Sequence, residues 1–169
     1  KSNKFVRIME KSNAYWGKLN DQTLKYLIEY AKINSDVKII LKGKTGVHEK
    51  YQLISKSLPE NFTFIDGGSG EKFLKDAKII IAFNSTVVLE AIASNRNLII
   101  PNFNNENKRK KNLMLKIDDK KYFTSSKKQF NKKLDLYLNS KYKNKKISNP
   151  DKKTLKYYLG NTDGKSGKK

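Results

Sequence analysis

Four short apolar runs, at 37–41, 62–65, 78–83 and 98–100, recur along the first hundred residues with a helix-length stretch between each pair. A run this brief is too short for an ordinary helix and too continuous for a half-solvated strand. It reads as a strand buried on both faces. The stretches between them, 47–57, 71–76 and 85–94, carry apolar residues at helical spacing. Parallel strands need crossovers of this kind, and those crossovers are right-handed. The pattern therefore predicts an α/β fold, a Rossmann-like parallel sheet with helices on both faces, over a β-α-β-α-β-α-β core at 37–101.

Before the core, Leu24, Leu27, Ile28 and Ala31 predict an amphipathic helix over 20–34, with Asn20 or Asp21 as its cap. After it, 102–112 is polar and Lys-rich, as a surface loop would be, and Leu113, Leu115 and Ile117 alternate like a further strand. Ser125 or Ser126 then caps a helix that runs to about Asn139 with Phe130, Leu134, Tyr137 and Leu138 as its apolar stripe. Pro150 marks a helix start and Gly160 its stop. Three segments result: a linker and lead-in helix at 1–36, the sheet domain at 37–140, and a basic linker with a closing helix and tail at 141–169.

Composition narrows the chemistry. With no cysteine and one histidine, His48, the chain has too few parts for disulfides, a thiolate metal site or a His-based metal cluster. No apolar run approaches a membrane span. Lys1 is not a Met and nothing beside it resembles a signal peptide, so the chain reads as a piece of something longer.

The net charge is +21, but 34 of the 37 basic residues are Lys and Asn occurs 18 times. Such a Lys, Asn and Ile excess fits an AT-rich genome's codon bias. Arg is the preferred side chain for reading phosphates and bases bidentately, so three of them argue against a dedicated nucleic-acid reader. Residues 1–103 carry 16 basic and 10 acidic side chains and residues 104–169 carry 21 and 6, so the excess belongs to the second half.

In an open parallel sheet, ligands bind beyond the carboxyl ends of the strands. The four strands are followed by Lys42-Gly43-Lys44-Thr45-Gly46, Asp66-Gly67-Gly68-Ser69-Gly70, Asn84-Ser85-Thr86 and Pro101-Asn102. Glycines, hydroxyls, an amide and lysines thus gather on one predicted edge, although none of the four is a P-loop or a dinucleotide fingerprint. Gly67, Gly68 and Ser69 are candidate loop contacts.

The richest segment is 79–93. An apolar strand passes into a helix whose first turn displays Asn84, Ser85 and Thr86, all able to cap a helix or bind an anion. Val87, Val88, Ala91 and Ile92 read as its buried face, and Thr86, Glu90 and Ser94 as a polar stripe. Glu90 stands one turn beyond Thr86, about 6 Å along the axis at ~1.5 Å per residue. That separation suits a hydroxyl on a diphosphate and a carboxylate on the attached ribose; it equally suits a capped helix with a solvated outer face.

Phe83-Asn84-Ser85-Thr86-Val87-Val88-Leu89-Glu90-Ala91, continued by Asn97-Leu98-Ile99-Ile100-Pro101-Asn102-Phe103, resembles the C-terminal, donor-binding domain of GT-B glycosyltransferases of the surface and capsular polysaccharide type. The segment from Tyr158 to Ser166 is similar to a closing segment of that group. The resemblance implies a nucleotide-sugar donor as substrate, with Asn84, Ser85, Thr86 and Lys42 at its diphosphate and Glu90 at its ribose. It implies a polysaccharide or lipid-linked acceptor, no cofactor and no bound metal, and the absence of a D-x-D triplet agrees. Acceptor site and catalytic base would belong to a preceding domain, so no catalytic residue is assigned and the chain alone would turn over poorly. The turn after the first strand departs from the family's, with Lys42-Gly43-Lys44-Thr45 in place of a Lys-Pro-His-Pro-like sequence.

Two other readings remain open: a sugar-nucleotide epimerase on the same architecture, and a non-enzymatic Lys-rich module for polyanions. Asp118-Asp119, flanked by lysines, reads as an exposed turn. Lys127, Lys128, Lys132 and Lys133 lie opposite the Phe130 stripe, a face suited to peripheral contact with anionic lipid. The expected location is cytoplasmic, peripheral at the inner membrane face.

Overall fold

The computed structural model describes residues 2–43, 58–65, 67–83, 85–103, 115–117, 120–139 and 147–160, and for 2–16 and 120 the backbone alone. The protein is α/β with parallel strands, and the chain divides into two compact units, Lys1–Asp76 and Ala77–Lys169. Among the described residues no helix is long and apolar enough to cross a membrane.

The first unit opens with helix α1, Ser2–Ile33. It starts well before the expected position 20. Asn20 and Asp21, the anticipated caps, are exposed mid-helix, and the buried Thr23 hydroxyl donates back to the Leu19 carbonyl at 2.8 Å. A hydroxyl bonded to i−4 is compatible with a continuous helix, which is why a cap-like cluster did not begin a new one. Leu19, Leu24, Leu27, Tyr30 and Ala31 form the buried stripe, and Ile28 is only half-buried.

Strands β1, Ile39–Lys42, and β2, Phe62–Ile65, pair in parallel with Ile39 opposite Phe62 and Lys42 opposite Ile65. The Asn61 amide joins helix to sheet. Its Nδ2 donates to the carbonyls of Ala31, Asn34 and Val37 at 3.1, 2.9 and 2.8 Å, while the backbone carbonyl of Asn61 accepts from Ile39 N–H at 2.8 Å. Carbonyls at the end of α1 that lack helical partners are thereby satisfied. Helix α2, Glu71–Asp76, closes the unit. The helix expected over 47–57 lies outside the described residues.

The second unit holds three parallel strands in the order β3 (Ile79–Ile81), β4 (Asn97–Pro101) and β5 (Phe123–Thr124). Helix α3, Thr86–Ala93, crosses from β3 to β4. Helix α4, Lys127–Asn139, follows β5, and α5, Asn149–Leu159, ends the described chain. Leu98, Ile99, Ile100 and Pro101 are all buried, so β4 is covered on both faces, and α3 and α4 both pack against it.

The strand expected around Leu113, Leu115 and Ile117 is absent at 115–117, where the Lys116 N–H donates to the Tyr158 hydroxyl at 2.6 Å instead of to a ladder. Leu113 lies outside the described residues. The third strand of this sheet is the two-residue β5, preceded by a 3-10 turn at Lys120–Tyr122. Ser126, rather than Ser125, caps α4: its Oγ accepts from Gln129 N–H at 3.2 Å, and Gln129 Oε1 accepts from both the N–H and the hydroxyl of Ser125 at 2.9 Å. Phe130, Leu134 and Tyr137 are buried as the stripe predicts, with Leu138 half-buried. Phe130 meets Phe103 edge to face at 5.6 Å.

Candidate functional site

Helix α3 is held by its underside and by its far end. Val88, Leu89, Ala91 and Ile92 are buried, and α3 packs on β4 and α5. Leu89 belongs to this face where Val87 was expected, and Val87 is half-buried. Burial of an aliphatic side chain of this size contributes about 1.5–3 kcal/mol.

At the far end, Asn95 adopts the left-handed region at φ 51, its N–H donates to Ile92 O at 3.0 Å, and Arg96 N–H donates to Ala91 O at 2.9 Å. This pair of reversed bonds is the Schellman closure, and Asn is one of the few side chains that tolerate the required φ. It places Arg96 in the turn and starts β4 one residue later.

The near end is built differently. Ser85 occupies the N-cap position with extended backbone (φ −145, ψ 164), yet its side chain makes no capping hydrogen bond. The first turn is closed by the backbone alone, Val88 N–H donating to Ser85 O at 3.0 Å. Ser85 and Thr86 are exposed, and so are Glu90 and Ser94, which continue the stripe at one-turn intervals. With Val88 N–H so engaged, the earlier N–H groups of Thr86 and Val87 precede the ladder of the helix, and the helix dipole favours an anion there. Hydroxyls at Ser85 and Thr86 beside those N–H groups can accept or donate to an oxyanion. Glu90, one turn on, can accept hydrogen bonds from the hydroxyls of an attached sugar. Asn84 lies outside the described residues.

The remaining sequence-derived positions belong to the first unit. Lys42 ends β1 opposite Ile65, is half-buried, and its Nζ donates to the neighbouring Gly43 carbonyl at 3.5 Å. Gly43 N–H donates to Ile65 O at 2.9 Å, which sets Lys42 and the turn after β2 on one edge of this sheet. Gly67 and Gly68 take φ of 63 and 73, consecutive left-handed conformations that a side chain would strain. The Ser69 hydroxyl accepts from Glu71 N–H at 3.2 Å, so it serves the start of α2.

One polar cluster in the second unit escaped the sequence reading. Asp151, at the third position of α5, is buried, and its Oδ2 accepts from Lys121 Nζ at 2.8 Å, the Tyr122 hydroxyl at 2.9 Å and the Ser148 hydroxyl at 2.7 Å. Ser148 is the N-cap, accepting in turn from Asp151 N–H. Burial, reinforced by the Asp151 carboxylate, pushes the Tyr122 phenol above its ordinary range and keeps it a donor. The signal was Ser148-Asn149-Pro150-Asp151, a capping-box spacing whose acid faces inward to Tyr122.

Among the described residues no group of His, Cys, Asp or Glu could hold a metal ion. No protein-family model matches the chain, and neither does any curated protein or solved structure.

Proposed function

We propose that the chain is the donor-binding part of a glycosyltransferase that takes its sugar from a nucleotide diphosphate and passes it to a surface polysaccharide or lipid-linked acceptor. The observation that supports this reading is the mouth of α3. There a serine sits at the N-cap without capping, beside an exposed threonine and one turn before an exposed glutamate. A cap residue that leaves its helix uncapped has its hydroxyl available for a ligand, and a diphosphate is the ligand that an uncapped N-terminus favours.

In this reading Ser85 and Thr86 meet the diphosphate, the helix N–H groups stabilise charge on the departing nucleotide, and Glu90 holds the ribose. No catalytic base is assigned within the chain. The reading is carried by α3 alone.

Titration calorimetry with uridine and guanosine diphosphates and their sugar conjugates tests it. The parent binds at least one of them, and Ser85→Ala with Glu90→Ala weakens that affinity by about 100-fold or more, the size of two lost charge-assisted hydrogen bonds of about 1.5–3 kcal/mol each. Equal affinity in the parent and the double variant overturns the assignment. Isomerisation of the sugar without any acceptor would favour the epimerase reading.

A further inference from the structure

We propose that the outward face of α5 is a docking surface for a bilayer rich in anionic phospholipid. Lys152, Lys153 and Lys156 are exposed on this helix. At 3.6 residues per turn they occupy the middle of its outer arc, with Leu159 and Tyr157 at the two borders. Those border residues are 49% and 67% exposed, which sets apolar surface on either side of the lysines. The one acid of the helix, Asp151, is turned inward and engaged by Lys121, Tyr122 and Ser148, so the outer arc carries positive charge without an exposed carboxylate.

Helix α4 offers the contrast. Lys133, expected on the outer face, is half-buried and donates to the carbonyls of Lys121 and Phe123, and exposed Lys127, Lys128 and Lys132 share the surface with exposed Asp135, which makes it the weaker of the two basic surfaces.

Charge complementarity alone fits nucleic acid as well as lipid, and two observations favour lipid. The Tyr157 ring is occupied, packed edge to face on Tyr158 at 4.9 Å with Lys116 Nζ 5.6 Å from its centroid, so it is poorly placed as a stacking platform for bases. Leu159 has no counterpart on a phosphate backbone, whereas at a bilayer it reaches the acyl boundary while Tyr157 sits at headgroup level and the lysine ammoniums meet lipid phosphates. The inference is independent of the nucleotide site at α3.

The test is co-sedimentation of the full chain with vesicles of phosphatidylcholine alone and of phosphatidylcholine mixed with phosphatidylglycerol, at low and high salt. The chain pellets with the mixed vesicles only, and less at high salt. Lys152→Gln with Lys156→Gln lowers the partition coefficient about 25-fold, about fivefold for each lysine. Tyr157→Ser with Leu159→Ser removes the binding that survives salt. Lys128→Gln with Lys132→Gln on α4 changes it less than about twofold. Matched circular dichroism and melting curves separate lost binding from lost folding. Absence of binding to mixed vesicles, full binding by both α5 variants, or an equal loss from the α4 variant overturns the proposal. So does binding of duplex DNA, lost in the α5 variants, by a chain that ignores vesicles.

Discussion

Strands β1 and β4 are alike in sequence character and unlike in what surrounds them. Both are short, apolar and paired in parallel, yet β1 has no buried residue and its Ile40 is 41% exposed, whereas four of the five residues of β4 are buried. β4 lies between two strands and receives α3 and α4, while β1 pairs with β2. An apolar run therefore announces a strand, and neighbours on both edges and both faces determine how much water it loses. The two units consequently depend on different forces. The second is held by a close-packed core, the first in good part by directed polar bonds such as those of Asn61.

Deletions of side chains can break this contrast. The largest effect belongs to Phe130, which is fully buried against Phe103: Phe130→Ala costs about 3–5 kcal/mol in denaturant unfolding, while Ile40→Ala in β1 costs less than about 1 kcal/mol. Similar losses at the two sites would erase the distinction. Next comes Asp151→Ala, which strands the Tyr122 hydroxyl in the interior and costs about 3 kcal/mol; Lys121→Ala is also costly, because it leaves the Asp151 carboxylate, only 3% exposed, without its counter-charge.

Asn61→Ala tests the polar half of the comparison. It removes the donor shared by the Ala31 carbonyl in the last turn of α1 and the Asn34 and Val37 carbonyls just beyond it, and costs about 2 kcal/mol, read as faster amide exchange at the end of α1. If exchange accelerates across the second unit instead, the two units do not hold separate stability. The smallest effect is at Ser85. An ordinary N-cap serine is worth about 1 kcal/mol, and because this one makes no capping bond Ser85→Ala shifts the melting curve much less than that.

Much of the second unit was legible in the residues because local and global signals agree there. The run ending at Phe83, the Asn84-Ser85-Thr86 boundary and the apolar stripe of α3 all point to strand, turn and helix. The Ser125-Ser126 pair likewise marks the start of α4, and Pro150 with Gly160 brackets α5, by cap chemistry. Where the reading failed, the local signal was ambiguous or too short. Asn20-Asp21 imitates a helix start inside α1, because exposed positions of a continuous helix tolerate the same residues that caps require. A two-residue strand such as β5 contains no period at all, whereas the alternation of Leu113, Leu115 and Ile117 predicts a strand that 115–117 do not form, the Lys116 N–H turning to the Tyr158 hydroxyl. Asp151 was missed because burial of a carboxylate depends on a tyrosine and a lysine about thirty positions away. Of the candidate site, residue types and helical spacing were readable; that Ser85 leaves its helix uncapped required coordinates.

The Schellman closure at Asn95, together with the apolar underside of α3, has an evolutionary corollary. A helix secured from behind and beneath can exchange the residues at its opening with little loss of foldedness. Drift or selection at Ser85 and Thr86 is thus free to retune ligand preference while the scaffold stays intact.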